Sequence, residues 1–211
     1  MNARATKKLV AGGALGAMLI GTVALASAAS ADPVDGTDVD VSVEIESNVE
    51  PGNLALTVAA NSTSLTEADE SSIEGTREFT GDLPEVTVTD TRTEVEAGSS
   101  WYVLGKASAF AGDAGQEPIS AANLGWAPTL TDGGDTGLVS EGEEVFPVLD
   151  ESGEPDNVGL VDQELLLSTF DSAEVNPEGS WTAGANLTLR TGEDVAPGAY
   201  NSTITLSLFE D

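Results

Sequence analysis

Ile204-Thr205-Leu206-Ser207-Leu208 alternates apolar and polar side chains without a break. Successive side chains of an extended strand point to opposite faces, so this rhythm describes a strand with one face in a core and one in water. The same period recurs along the chain. Val39, Val41, Val43 and Ile45 alternate with Asp38, Asp40, Ser42 and Glu44, and Leu54, Leu56 and Val58 repeat the pattern. Val86 and Val88 alternate with Thr87 and Thr89, and Leu187 and Leu189 with Thr188 and Arg190. Trp101–Phe110 reads as one unbroken strand. Between these runs stand Pro51-Gly52-Asn53, Gly81-Asp82, Ala97-Gly98-Ser99, Asp132-Gly133-Gly134-Asp135 and Pro197-Gly198. Glycine and asparagine admit positive φ and proline fixes φ, so these are turns. Regularly punctuated strands of this kind predict an all-β fold, an antiparallel β-sandwich (Ig-like or related) with long acidic loops. The best helical candidate is Val161–Phe170, where Leu165, Leu166 and Leu167 could share one turn. Asn61–Thr76 and Thr131–Val161 read as loops, and strand patterns resume on both sides of each. Long loops on a sheet scaffold are a common place for binding, and also simply a solvated surface.

The first 31 residues have a different character. Arg4, Lys7 and Lys8 precede an apolar run from Leu9 to Ala26, and Ala29-Ser30-Ala31 stands directly before Asp32-Pro33. A basic start, an apolar stretch and a small-x-small site are the parts of a secretory signal peptide. The expectation is cleavage after Ala31, export, and a single domain over residues 32–211. No LPxTG-like motif or hydrophobic tail follows Phe209-Glu210-Asp211, so no covalent or membrane anchor is expected at that end.

All 37 acids follow residue 31, where only Arg77, Arg92, Lys106 and Arg190 oppose them, a formal charge of −33. Such a chain repels nucleic acid and anionic lipid, and neither is expected as a partner. Extreme acidity can mean disorder, but 40% hydrophobic residues in ordered patterns point to a fold. There is no cysteine and no histidine. Disulfide staples are excluded, as are Ser-His, Cys-His and His-metal chemistry.

Paired carboxylates can hydrolyse glycosides, but among 37 acids some pair always falls at a suitable distance. No acid stands in an apolar run beside aromatics, where a raised pKa would be expected. No catalytic residue is assigned. Asp132 and Asp135, with Asp150 and Asp156, lie in acid-rich turns that could bind calcium weakly, although neither turn has EF-hand spacing. No other cofactor is expected. Trp101, Trp126 and Trp181 could stack on sugar rings or anchor a partner if exposed, and would be core if buried. Trp101 fits core better, and Trp126, beside Pro128, fits either place. Tyr200, after Ala196-Pro197-Gly198-Ala199, fits a corner whose hydroxyl bonds back across the sandwich end. Asn61-Ser62-Thr63, Asn186-Leu187-Thr188 and Asn201-Ser202-Thr203 spell glycosylation sequons, which a bacterial-style leader makes idle.

Leu83-Pro84-Glu85-Val86-Thr87-Val88-Thr89-Asp90-Thr91-Arg92, followed by Gly98-Ser99-Ser100-Trp101-Tyr102-Val103, resembles the WxL domain of Gram-positive surface proteins. Val88, Asp90 and Arg92 match that family's V-x-D-x-R element. Trp101 and Val103 match its first W-x-L, with valine for leucine. Tyr200–Leu208 matches its closing element, where Leu206 stands in place of tryptophan and Leu208 keeps the final leucine. Gly52–Val58 is similar to its early strand. The resemblance implies a divergent, actinobacterial-style member of β-rich fold. It also implies noncovalent attachment to peptidoglycan at the cell surface, and surface-protein partners. With it, Trp101, Val103, Trp126, Tyr200 and Leu208 become the candidate contacts. Three other readings stay open: a structural or assembly subunit docking another surface protein through a sheet edge or aromatic patch, a carboxylate-based glycosidase, and an extracellular domain with no wall affinity.

Overall fold

The computed structural model describes residues 52–151 and 157–211. The leader, the Val39–Ile45 alternation and Asp156 lie outside the described residues. The strands are β1 (Leu54–Val58), β2 (Thr66–Glu67), β3 (Thr76–Asp90), β4 (Trp101–Ala107), β5 (Ala111–Gly112), β6 (Leu124–Asp132), β7 (Val139–Glu141), β8 (Glu164–Thr169), β9 (Ser180–Gly192), β10 (Tyr200–Asn201) and β11 (Ile204–Glu210). A one-turn helix, α1 (Ser172–Val175), starts at Asp171, whose carboxylate accepts from the Glu174 amide at 3.1 Å. Among the described residues no helix is long and apolar enough to cross a membrane.

The main strands form two antiparallel sheets, an all-β sandwich as the alternation predicts. One has the order β1-β3-β9-β6, with β2 also beside β3, and the other β11-β4-β8-β7. Inward-facing side chains of the central strands are sealed: Val86, Val88, Trp101, Val103, Leu166, Leu167 and Trp181 are each 0% exposed. Trp101 and Trp181 meet between the sheets with ring centroids 5.2 Å apart. On the other face of the first sheet, the Thr87 and Thr182 hydroxyls pair across β3 and β9 at 3.0 Å.

Two irregularities follow from particular residues. Pro84 lacks the N–H a ladder needs, and the β3–β9 register shifts there, between Leu83 and Val86. The helix expected over Val161–Phe170 is instead strand β8. Val103 pairs with Leu167 and Leu104 with Leu165, so Leu166 is the extra residue of a bulge. The bulge lets the consecutive Leu166 and Leu167 both bury, which strict alternation forbids. Three leucines in a row therefore carried no helical meaning.

One side of the sandwich, along β6 and β7, is closed by the acidic loop after β7. That loop runs back beside β6, where Trp126 and Val145 exchange backbone hydrogen bonds of 3.0 and 2.8 Å. Gly125 makes room for it, since a Cβ there would lie 2.3 Å from the Val145 carbonyl oxygen. Inside, Gly105 of β4 leaves space for the Trp126 ring: a Cβ would lie 2.5 Å from Cη2 and 2.8 Å from Cζ3. Gly105→Ala is expected to cost about 1–3 kcal/mol by overpacking the core, read as a lower urea midpoint. An unchanged midpoint would show that the indole has room to yield.

Candidate functional site

On the opposite side, β1 and β11 border a groove of about 950 Å³. Its walls are the inward side chains Leu56 and Val58 of β1, Phe79 and Leu83 of β3, Leu187 and Leu189 of β9, and Ile204 and Leu206 of β11. Leu65, Phe110, Ile119, Leu124 and Val195 extend it. Asn61-Ser62-Thr63-Ser64 lies along the rim, and so does Asn201-Ser202-Thr203. A second, smaller cavity of about 410 Å³ shares Ile119, Thr191, Val195, Ala196 and Tyr200 with it.

Among the described residues no aspartate or glutamate lines the groove, in a chain with 37 of them. Among them Arg77 is the single charged lining residue, and that cation is occupied. Arg77 makes a forked pair with Glu67 at 2.7 and 2.9 Å and lies 5.2 Å from the centre of the Phe79 ring. The groove thus offers apolar surface, amides and hydroxyls, and no carboxylate acid or base.

The predicted contact residues divide. Trp101, Val103 and Trp126 are corrected to core: they are 0%, 0% and 1% exposed and have no face to offer a sugar ring. Among the described residues the indole nitrogens of Trp101 and Trp126 have no hydrogen-bond partner, while that of Trp181 donates to Glu178 at 2.8 Å. Tyr200 lines the groove, and its hydroxyl donates to the Ala196 carbonyl at 2.8 Å, a local bond four residues back along the chain. Leu208 is half-buried in β11, opposite Val103.

The acid-rich turns are engaged from within the fold. Asp132 accepts from the Gly134 amide at 3.1 Å. The Asp135 and Thr136 amides point at Glu178 and donate to it at 2.7 and 2.6 Å, so this turn gathers donors around an anion. The Trp181 indole and these amides hold the Glu178 carboxyl below its ordinary range. Asp150 is nearly buried and accepts from Arg190 at 2.8 Å. Among the described residues no three acids gather as a cation site would require. Glu164, at the start of β8, is pushed upward, first by burial and then by the charge of Asp162, and it does not line the groove.

The V-x-D-x-R element is an ion pair. Asp90, its side chain fully buried, accepts from Arg92 Nε at 2.8 Å and Nη2 at 2.6 Å. Arg92 also pairs with Glu210 at the end of β11 and bonds Ser172 of α1 at 3.3 Å. The element joins the end of β3 to the other sheet.

The groove had a signal in the sequence other than aromatic residues. Residues 51–66, 118–131 and 195–209 carry no charged side chain, and all three stretches contribute to its lining. In a chain this acidic, uncharged runs of that length mark a surface kept neutral.

No family model matches the chain, and no curated protein matches it. Among solved structures it is similar to a family 123 glycoside hydrolase from Clostridium perfringens, studied for glycolipid glycan hydrolysis. The TM-score is 0.31 at 15% identity, over 63% of this chain. The chain spans 18% of the length of that hydrolase.

Proposed function

We propose that this protein is exported and held noncovalently at a Gram-positive cell wall, where it binds peptidoglycan or a surface partner without catalysis. The contact surface is the groove between β1 and β11. The observation that carries this reading is the largely apolar lining, without a carboxylate among the described residues, in a chain of formal charge −30. Sugar rings present apolar faces and neutral hydroxyls, which suit apolar walls under an Asn/Ser/Thr rim. Divalent cations or salt would screen the approach to an anionic wall.

Co-sedimentation of residues 32–211 with isolated peptidoglycan, in calcium and in chelator, tests this. Retention in calcium is expected, with at least a tenfold loss on Val58→Glu, which puts a charge on an exposed groove position while circular dichroism stays unchanged. Absence from the pellet in both buffers would overturn wall binding. Equal retention of Val58→Glu would move the contact away from the groove.

A second reading, docking of another surface protein, is favoured by one feature. Strand β11 ends its sheet with the sequence Ile204-Thr205-Leu206-Ser207-Leu208-Phe209-Glu210, without the lysine or proline that usually blunts an edge.

A further inference from the structure

Among the described residues, the β1/β11 side is less sealed than the interior. In the interior strand β4, the inward residues Trp101 and Val103 are fully buried, whereas inward Ile204, Leu206 and Leu208 of the neighbouring β11 are only half-buried. On β1, Val58 is 43% exposed although it lines the groove. Among the described residues, strands β1 and β11 each end their sheet on this side. The opposite side is managed differently: β7 has three residues, β6 carries Pro128, and the Val145 segment lies against Trp126. At about 3.3 Å per residue, the seven residues of β11 offer an edge of roughly 23 Å.

We infer that the β11 edge and the groove beside it form a strand-acceptor site for an extended segment of a partner protein, with apolar side chains at every second position and basic or neutral ones between. The inference rests on the second reading above. The acceptor's backbone groups would pair with the incoming strand, and the alternate apolar side chains would enter the groove. Charge selects the intervening residues. The strand's outer face meets a protein with 37 acids and 7 bases, which attracts lysine and arginine. A second copy of this chain brings a like charge of −30 and is repelled.

The test is fluorescence anisotropy with labelled nine-residue peptides. The first alternates valine with lysine and threonine, the second is its scramble, and the third is the first with N-methylated amides on one edge. The fourth copies the chain's own Asp38–Glu46, whose apolar residues alternate with acids and serine. The alternating basic peptide is expected to bind, at least tenfold more tightly than its scramble and its N-methylated form, and at least tenfold more weakly to Val58→Glu. Equal binding of the scramble would reduce the effect to charge attraction and overturn the site. Tighter binding of the Asp38–Glu46 peptide would assign the groove to this chain's own sequence and overturn the partner. Absence of binding by any peptide would also overturn it. Peptidoglycan retention without peptide binding would sink this inference and leave wall binding standing.

Discussion

Asp90→Ala is expected to lower stability by about 3–5 kcal/mol at pH 7, because it strands the Arg92 guanidinium at the junction of β3, β11 and α1 without its buried partner. Against a total of roughly 5–15 kcal/mol, that approaches the threshold of folding. Urea unfolding measures it, and equal midpoints for variant and parent would show that the pair holds nothing. The effect has a pH signature. Burial by itself would raise the Asp90 carboxyl, but hydrogen bonds from the Arg92 side chain and backbone, and from Asn176, outweigh it and hold the group below its ordinary range. The unfolded carboxyl titrates near about 3.9. A group depressed in the folded state contributes its full stability above the unfolded value and loses it as pH falls through the folded one. The gap between parent and variant should therefore be constant near neutrality and close below about pH 4.

Arg190→Ala should do comparable damage by a different route. Arg190 is buried on β9 and bonds Asp150 at 2.8 Å, Glu78 at 2.7 Å, Ser72 at 2.9 Å and Ser71 at 3.3 Å. Ser71 and Ser72 belong to the loop between β2 and β3, and Asp150 to the loop after β7. One guanidinium thus fastens both long acidic segments to the central strand. Its removal leaves the Glu78 and Asp150 carboxylates facing a site without its cation, at a cost of about 3–5 kcal/mol. Limited proteolysis should then cut both loops early, before the strands unfold. Arg190→Lys should recover only part of the loss, since an ammonium cannot reproduce the fork that reaches four partners. Proteolysis confined to one loop would show that the two are fastened separately.

How far the sequence could be read depended on which physical signal carried each feature. Alternation is imposed by the strand backbone, so Val86/Val88, Leu187/Leu189 and Ile204–Leu208 were legible as strands facing a core. The Leu165–Leu167 run was not, because a single bulge residue removes the periodicity on which the reading relies. Burial of Trp126 was undecidable from its neighbours. Its place depends on Gly105, 21 positions earlier, and on Val145, 19 later, both of which the chain brings to it only after folding. The arginine anchors were hidden for the same reason: Arg190 and Ser71 are 119 residues apart. The groove was legible in principle, through three uncharged stretches, but attention to aromatics pointed to the core instead.

The asymmetry between the sandwich's two sides also bears on stoichiometry. A sheet protein with open edges on both sides can pass partners along indefinitely and grow into fibres. Here, among the described residues, one flank is sealed by a three-residue strand, a proline and a returning loop, and the other lies open along β1 and β11. A molecule that accepts a strand as inferred above would therefore end a row of strands rather than relay one, and assemblies that include it are expected to stop growing where it docks.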